Sequence, residues 1–229
     1  MKFTWLTQAG LLFENENIKI MVDPYLSDSM SGRSEAFSRR MPIDESYLSA
    51  SPDVVLITHE HADHLDTETL TEIIKRKGSP ITFLAPKKAY NKLLELGGDN
   101  NYVMLNQHSV WSEKGVTFYA VHAEHSDSSA VGFIIDDGKK TYYVSGDTLY
   151  NYDVIDDVLE LVEDGVDYAF LPINGKGNNM NAKDAADFAY ELGAKAAVPV
   201  HWGLFDNIDP KSFDFEDSVI PEPYCETEL

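Results

Sequence analysis

The sequence predicts one globular domain of the α/β or α+β class, in which helices and strands are mixed. Short apolar runs recur along the chain, and segments with apolar residues at helical spacing lie between several of them. Glycine, proline, asparagine and aspartate separate these segments, and no linker or low-complexity tract divides them. A chain of 229 residues can bury one sizeable core. Two sheets with helices outside them satisfy this pattern.

The first part of the chain carries strands that precede any helix. Three short strands are expected at residues 3–7, 11–13 and 18–22. Residues 25–50 are polar and mixed, which indicates a long loop or a short helical excursion, and loops of that length are often functional. The apolar run at residues 54–57 then predicts a buried strand.

Helices and strands alternate through the middle of the chain. Residues 67–77 have helical spacing at Leu70, Ile73 and Ile74, and the helix is expected to stop at Gly78. The elements that follow are predicted as a strand at 81–85, a helix at 87–96 and a strand at 102–105.

The second half repeats the mixture of strands and helices. A strand is expected at 116–121, followed by a hairpin of strands 130–135 and 140–145 around Asp136-Asp137-Gly138. The remaining elements are a helix at 154–162, a strand at 168–171, a helix at 182–192 and a strand at 196–200. Asn181 is a good N-cap for the last helix, and Gly193 closes it.

Charge and composition exclude several classes of partner. The net charge of −21 opposes binding to nucleic acid, because a field of that sign repels phosphate backbones. No apolar run reaches membrane-spanning length, and the N-terminal residues do not resemble a secretory signal. The one cysteine, Cys225, excludes an intramolecular disulfide and a thiolate metal cluster. These features favour a cytoplasmic protein whose metals, if any, are held by nitrogen and oxygen.

The segment THEHADHLD, residues 58–66, concentrates three of the seven histidines in one turn after a buried strand. His59 and His61 are two residues apart, so in extended backbone they point the same way and can converge on one ion. Asp63 and His64 lie where the chain must turn into a helix, which can direct them to a second ion. The segment therefore predicts two half-sites for metal.

Further candidate ligands follow other predicted strands. They are His122, His125, Asp147 and His201. Taken alone, each is more often a hydrogen-bonded structural residue than a ligand. Their recurrence at strand ends, where loops gather into sites, favours ligands beside the histidine-rich turn.

Several motifs resemble the metallo-β-lactamase superfamily. THEHADHLD matches its HxHxDH signature, and the later motifs follow in order: AEHSDSSAVGF (123–133), SGDT (145–148) and PVHWGLF (199–205). MVDP (21–24) and LPINGKGNNMNAKDAADFA (171–189) also fit, and the set resembles the branch of L-ascorbate-6-phosphate lactonase-like proteins and short metal-dependent hydrolases. The resemblance implies an αββα sandwich and a single hydrolase domain over residues 1–229.

The resemblance also implies roles for individual residues. One ion would be held by His59, His61 and His125, and the other by Asp63, His64 and His201, with Asp147 as the bridge. His125 is preferred to His122 because it occupies an A-x-H-S pattern. His122 is then a supporting or structural residue, and His108 a structural or surface one.

The chemistry implied is hydrolysis. Two divalent ions, zinc or manganese with iron also compatible, lower the pKa of a shared water, and the hydroxide attacks a carbonyl or phosphoryl centre. Asp63, His64 and Asp147 are the expected catalytic residues, and Asp63 can orient the hydroxide. The substrate is expected to be a small molecule, a lactone or related ester that can carry a phosphate.

Two alternatives stay open at this level. One is a phosphodiesterase that acts on a small cyclic phosphodiester, and the other is a non-catalytic metal-binding protein on the same fold. The chain is shorter than the sugar-phosphate lactonases of the branch, so their substrate does not carry over. The sequence leaves a homo-oligomer open and predicts neither a nucleic-acid nor a membrane partner.

Substrate contacts are expected from the glycine-rich loop at residues 174–179. Asn174 and Lys176 are the candidates, and Lys176 can meet an anionic group, although an ordinary surface turn explains the loop equally well. The arginines of the long loop have the same two interpretations, an anion-binding entrance or a solvated face: Arg33, Arg39 and Arg40. Asp23 is expected to support the metal ligands or the turn, and the acidic C-terminal residues to form a solvated tail.

Overall fold

The structure, a computed structural model, describes residues 1–229 and contains thirteen strands and four α-helices. The chain forms two compact units. The first unit comprises Met1–Met104 with Gly203–Phe205 and Glu222–Leu229. The second unit comprises Leu105–Trp202 with Asp206–Pro221. Each unit is built around one sheet.

The sheet of the first unit has seven strands in the order β13-β1-β2-β3-β4-β5-β6. Their bounds are β1 Lys2–Trp5, β2 Leu11–Glu14, β3 Lys19–Val22, β4 Val54–Leu56, β5 Thr82–Ala85, β6 Asn101–Met104 and β13 Glu226–Glu228. Strands β3 to β6 are parallel neighbours, and the others pair antiparallel. The carboxyl ends of β3 and β4 therefore lie side by side at one edge of this sheet.

Two α-helices accompany this sheet, α1 (Thr67–Arg76) and α2 (Lys87–Leu93). The Asp66 side chain caps α1 by accepting a hydrogen bond from the Thr69 backbone N–H. Both helices bury apolar residues, such as Leu70 and Leu93, against the strand residues of one core cluster. This burial fixes where α1 begins, directly after the histidine-rich turn.

The sheet of the second unit has six strands in the order β12-β11-β10-β9-β8-β7. Their bounds are β7 Val110–Glu113, β8 Val116–His122, β9 Val131–Asp136, β10 Thr141–Val144, β11 Tyr168–Pro172 and β12 Ala196–Val200. Strands β10, β11 and β12 are parallel, and β8 runs in their direction because both β8 and β10 pair antiparallel with β9. Four strands of this unit thus end at the same edge.

Helices α3 (Tyr152–Leu159) and α4 (Ala182–Glu191) accompany the second sheet. Their apolar faces enter one core cluster with strand residues such as Ile134 and Ala169. The expected cap is present, because the Asn181 side chain accepts a hydrogen bond from the backbone N–H of Asp184. Gly193 follows α4 with φ of 64°, as its position after a helix requires.

The long loop contains two short 3₁₀ helices, Glu35–Phe37 and Glu45–Ser49, which agrees with the expected helical excursion. The structure corrects the predicted elements in two other places. Strand β7 was not predicted, and the C-terminal segment is more than a solvated tail. Its acidic side chains are exposed, but Phe213 and Phe215 between them are buried, and β13 pairs with β1. None of the helices combines the length and apolar character that crossing a membrane requires.

Candidate metal centre

The histidine-rich turn connects β4 to α1 in the first unit. Strand β4 ends at Leu56, and the backbone N–H groups of His64 and Leu65 both bond to the carbonyl of His61, which closes the turn. Asp66 then caps α1. The turn is thus fixed between a buried strand and a capped helix, so its side chains have defined directions.

His59 and His61 bring two ring nitrogens together. His59 Nε2 lies 3.0 Å from His61 Nδ1. The other nitrogen of His59, Nδ1, lies 3.0 Å from the Thr58 hydroxyl, and His59 is fully buried. Two nitrogens this close, with ion–nitrogen bonds of about 2.0–2.1 Å, suit two ligands of one zinc-like ion.

His64 is held from behind by Asp23. Its Nδ1 lies 2.7 Å from Asp23 Oδ2, and both side chains are buried. Asp23 follows β3 with φ of 41°, and its Oδ1 accepts a hydrogen bond from the backbone N–H of Thr58. A carboxylate on one ring nitrogen fixes the tautomer that presents the other nitrogen to a metal. The expectation that Asp23 supports this turn is confirmed.

Asp63 is oriented by Gln8, a residue that the sequence did not indicate. Gln8 Nε2 donates to Asp63 Oδ2 at 2.9 Å, and the same oxygen lies 3.8 Å from His64 Nε2. Gln8 is buried, and it follows Thr7 in a short segment where both residues have positive φ. Such backbone strain is found where a side chain must be aimed at a site. No motif could have identified Gln8, which is 55 positions from its partner.

In the second unit, the predicted ligands follow strands that end at one edge of the sheet. His125 follows β8, Asp147 follows β10 and His201 follows β12. The first two loops are joined, because the backbone N–H of Leu149 donates to the carbonyl of Glu124 and the backbone N–H of Glu124 donates to the Thr148 hydroxyl. The strand ends thus supply a shared frame for these side chains.

Asp147 and His201 lie together. Asp147 Oδ1 is 3.3 Å from His201 Nε2, and both residues are buried. His201 adopts φ of 59°, which is uncommon for a residue with a side chain and marks a constrained position. His125 lies elsewhere in this frame, with Nδ1 3.4 Å from the Asn178 carbonyl oxygen.

The glycine-rich loop after β11 places Asn174 beside the ring of His201. Asn174 Nδ2 lies 2.9 Å from His201 Nδ1, on the ring edge opposite Nε2. Gly175 allows the tight turn, since it has φ of 64° and a Cβ there would lie 3.1 Å from Asn181 Cβ. Lys176 is exposed at the tip of the loop.

The remaining histidines have other partners. His122 Nε2 lies 3.7 Å from Glu124 Oε2. The His108 side chain is exposed, and its Nε2 lies 2.6 Å from Asp157 Oδ1. The prediction that His108 is a structural or surface residue is confirmed.

The arginines of the long loop differ from one another. The Arg39 guanidinium donates to the carbonyls of Tyr25 and Ser27 and to the Thr7 hydroxyl, and burial lowers its pKa. It therefore holds the loop against the strand region rather than forming a solvated face. Arg33 and Arg40 are exposed.

The donor set fits divalent metal ions. The seven residues named by the motifs all offer a ligand atom of a metal-binding kind: His59, His61, Asp63, His64, His125, Asp147 and His201. Imidazole nitrogens and carboxylate oxygens suit zinc, manganese and iron, and the hydrogen-bond partners of His64 and His201 are of the kind that orient metal ligands.

The chain matches a family and several relatives. The β-lactamase superfamily domain matches residues 19–202. A UPF0173 metal-dependent hydrolase of Methanosarcina mazei is 30% identical, over 93% of this chain and 89% of the relative. Another of Methanopyrus kandleri is 29% identical, over 94% and 91%. Among solved structures, a metallo hydrolase of Ignicoccus hospitalis is 24% identical with a TM-score of 0.79, over 100% of this chain and 98% of that one.

Proposed function

Because the chain belongs to the β-lactamase superfamily, among its UPF0173 metal-dependent hydrolases, we propose that it is a dinuclear hydrolase of a small molecule. The family membership makes it a metal-dependent hydrolase with an α/β fold of two sheets. The proposal adds the number of ions, the residues that hold them and the class of substrate. Lactones and related esters, with or without a phosphate, are the proposed substrates.

The single observation that carries the proposal is the arrangement of ligand atoms within the histidine-rich turn. His59 Nε2 and His61 Nδ1 form one adjacent pair, and Asp63 Oδ2 and His64 Nε2 form a second. Asp23 and Gln8 orient members of the second pair. One turn therefore offers two pairs of ligand atoms, and two pairs are what a site for two ions requires.

The strand ends of the second unit supply the remaining ligands of the proposal. His125 is assigned to the ion of His59 and His61, and His201 to the ion of Asp63 and His64. Asp147 is assigned as the ligand shared by both ions. The order of the motifs along the chain supports this assignment, as does the adjacency of Asp147 Oδ1 and His201 Nε2.

The ions, zinc or manganese, would supply a hydroxide at neutral pH and polarise the attacked oxygen. The chain's own residues orient the proposed ligands and keep several of them buried. Gln8 fixes the direction of the Asp63 carboxylate, and Asp23 fixes the His64 ring. His59, His64, Asp147 and His201 are all buried, so the dielectric around them is low and electrostatic interactions there are strong.

The substrate assignment rests on charge and on the exposed loop. A net charge of −21 opposes a polyanionic substrate such as RNA, whereas a single small anion can be met by Lys176. A cyclic phosphodiester would satisfy the same features, so the test must separate the two classes.

The test begins with metal content. Purified protein is stripped with a chelator, titrated with Zn²⁺ or Mn²⁺, and assayed in a pH-stat against sugar lactones with and without phosphate, simple esters and cyclic phosphodiesters. Two equivalents of metal per chain and metal-dependent proton release from lactones or esters are expected. One equivalent at saturation would overturn the dinuclear assignment. Proton release only from phosphodiesters would replace the substrate class while retaining the metal site.

A further inference from the structure

His201 is held at one ring nitrogen by the side chain of Asn174, and that contact affects how well the other ring nitrogen can bind a metal. The contact is 2.9 Å long and involves Nδ1, while Nε2 faces Asp147 Oδ1. His201 is buried and has positive φ, so the ring cannot relax freely into another orientation.

The topology of the sheet explains why these two side chains meet. Strands β11 and β12 are parallel neighbours with Pro172 opposite Val200. Two residues beyond β11 and one beyond β12, Asn174 and His201 therefore occupy adjacent positions at the same sheet edge. The backbone N–H of Gly175 donates to the carbonyl of Met180, which closes the loop and holds Asn174 in place.

The orientation of the amide has one consistent solution when a metal is bound. A neutral imidazole that offers Nε2 to an ion carries its proton on Nδ1, so Nδ1 must donate. The atom of Asn174 drawn toward Nδ1 is Nδ2, itself a donor, while the buried Oδ1 has no hydrogen-bond partner. A rotation of the amide by half a turn about the Cβ–Cγ bond places Oδ1 at Nδ1. That rotation gives the Nδ1–H of His201 an acceptor.

We propose that Asn174 is a positioning residue that accepts a hydrogen bond from Nδ1–H of His201 and so presents Nε2 to a metal ion. This inference rests on the proposed function, because it assumes that His201 is a metal ligand. It gives Asn174 a role at His201 instead of at the substrate. Partners of this kind typically change metal affinity by about 10- to 100-fold when they are removed.

The test compares Asn174→Ala with Asn174→Asp. Alanine removes the acceptor, whereas aspartate retains an acceptor and loses the donor. Asn91→Ala, on the exposed surface of α2, is the matched control. Zn²⁺ affinity is measured by competition with a chromophoric chelator, and the protonation of His201 Nδ1 is read from ¹⁵N chemical shifts in histidine-labelled, zinc-loaded protein.

We expect Asn174→Ala to weaken one of the two zinc equivalents by about 10- to 100-fold, while Asn174→Asp and Asn91→Ala bind both as tightly as the natural protein. His201 Nδ1 should be protonated in the zinc-loaded natural protein and in the aspartate variant. Equal zinc affinity in the alanine variant, or an aspartate variant as weak as alanine, would overturn the inference. If Asn174→Ala does not fold, the aspartate variant and the ¹⁵N shifts still decide.

The same experiment separates this inference from the proposed function. Natural protein that binds no zinc would overturn both. Natural protein that binds two equivalents, with an alanine variant that does the same, overturns only the role of Asn174. A pH-stat assay adds one outcome: an alanine variant with unchanged zinc affinity but a raised KM for a substrate found in the panel would assign Asn174 to the substrate and likewise overturn the positioning role.

Discussion

Two histidines of this protein are each held at Nδ1, but by partners of different chemistry. In the first unit, the partner of His64 is the Asp23 carboxylate at 2.7 Å, and both side chains are buried. In the second unit, the partner of His201 is the amide of Asn174 at 2.9 Å, and Asn174 is half-buried. Both contacts lie where strands that are parallel neighbours end side by side.

The difference teaches that the same ring orientation can be fixed with or without charge. A carboxylate makes the ring a stronger electron donor, and it also accepts hydrogen bonds from Thr58. The amide of Asn174 is neutral, so it adds no charge beside the carboxyl group of Asp147. We therefore expect Asp23 to contribute to the stability of the fold, and Asn174 mainly to metal affinity.

The largest expected effect tests whether the second unit contributes chemistry at all. Asp147→Ala should reduce kcat/KM by about ten-thousandfold, since removing one member of a catalytic set removes most of its effect. Asp164→Ala, an exposed aspartate of the same unit, should leave activity unchanged. Turnover of the Asp147 variant at the natural rate, measured by pH-stat, contradicts the two-metal assignment.

The next effect addresses Asp23. In metal-free protein, Asp23→Ala should lower the free energy of unfolding by roughly 3 kcal/mol, because buried donors of Thr58 and His64 lose their acceptor. Urea unfolding measures the change, with Asp99→Ala on the exposed surface of the same unit as control. A loss no greater than that of Asn174→Ala would remove the proposed difference between the two partners.

A smaller effect is expected for Arg39 of the long loop. Its side chain makes hydrogen bonds to the protein, whereas Arg33 of the same loop is exposed. Arg39→Ala should lower the free energy of unfolding by about 2 kcal/mol, because five hydrogen bonds from a charged group are lost. Arg33→Ala should change it by less than about 0.5 kcal/mol. Equal values in thermal or urea unfolding would argue against the buried role of Arg39.

The smallest effect separates two asparagines of one loop. Asn181 caps α4, and Asn181→Ala should lower the free energy of unfolding by about 1 kcal/mol. Zinc affinity should not change, in contrast to Asn174→Ala. A parallel loss of zinc affinity in both variants would mean that the loop as a whole, rather than one side chain, supports His201.

The sequence predicted the histidine-rich turn because four of its ligand candidates lie within six consecutive positions after an apolar strand. The α/β class with two sheets was also predicted and is confirmed by the family match and the topology. The extent of a single hydrolase domain over residues 1–229 stays a prediction. Asp23 could be anticipated because it ends a strand within a recognisable motif.

Other features carried no local signal. Gln8 acts on Asp63 from a distant segment, and nothing in TQAG indicates its direction. Strand β7 is half-exposed at a sheet edge, so it lacks the apolar alternation that would reveal it. The role of Asn174 depends on the alignment of β11 with β12, which is a property of the sheet and not of either segment.

The pairing of β13 with β1 affects whether another chain can add a strand at this edge of the sheet. Without it, β1 would expose a row of unpaired backbone groups, which is a template for adding a strand from another chain. The covering strand is three residues long and carries Glu226 and Glu228, and Lys2 forms an ion pair with Glu226. A short, acidic border of this kind repels a second copy of itself. Strand β13 thus discourages edge-to-edge aggregation of the sheets, a protection that its sequence alone did not suggest.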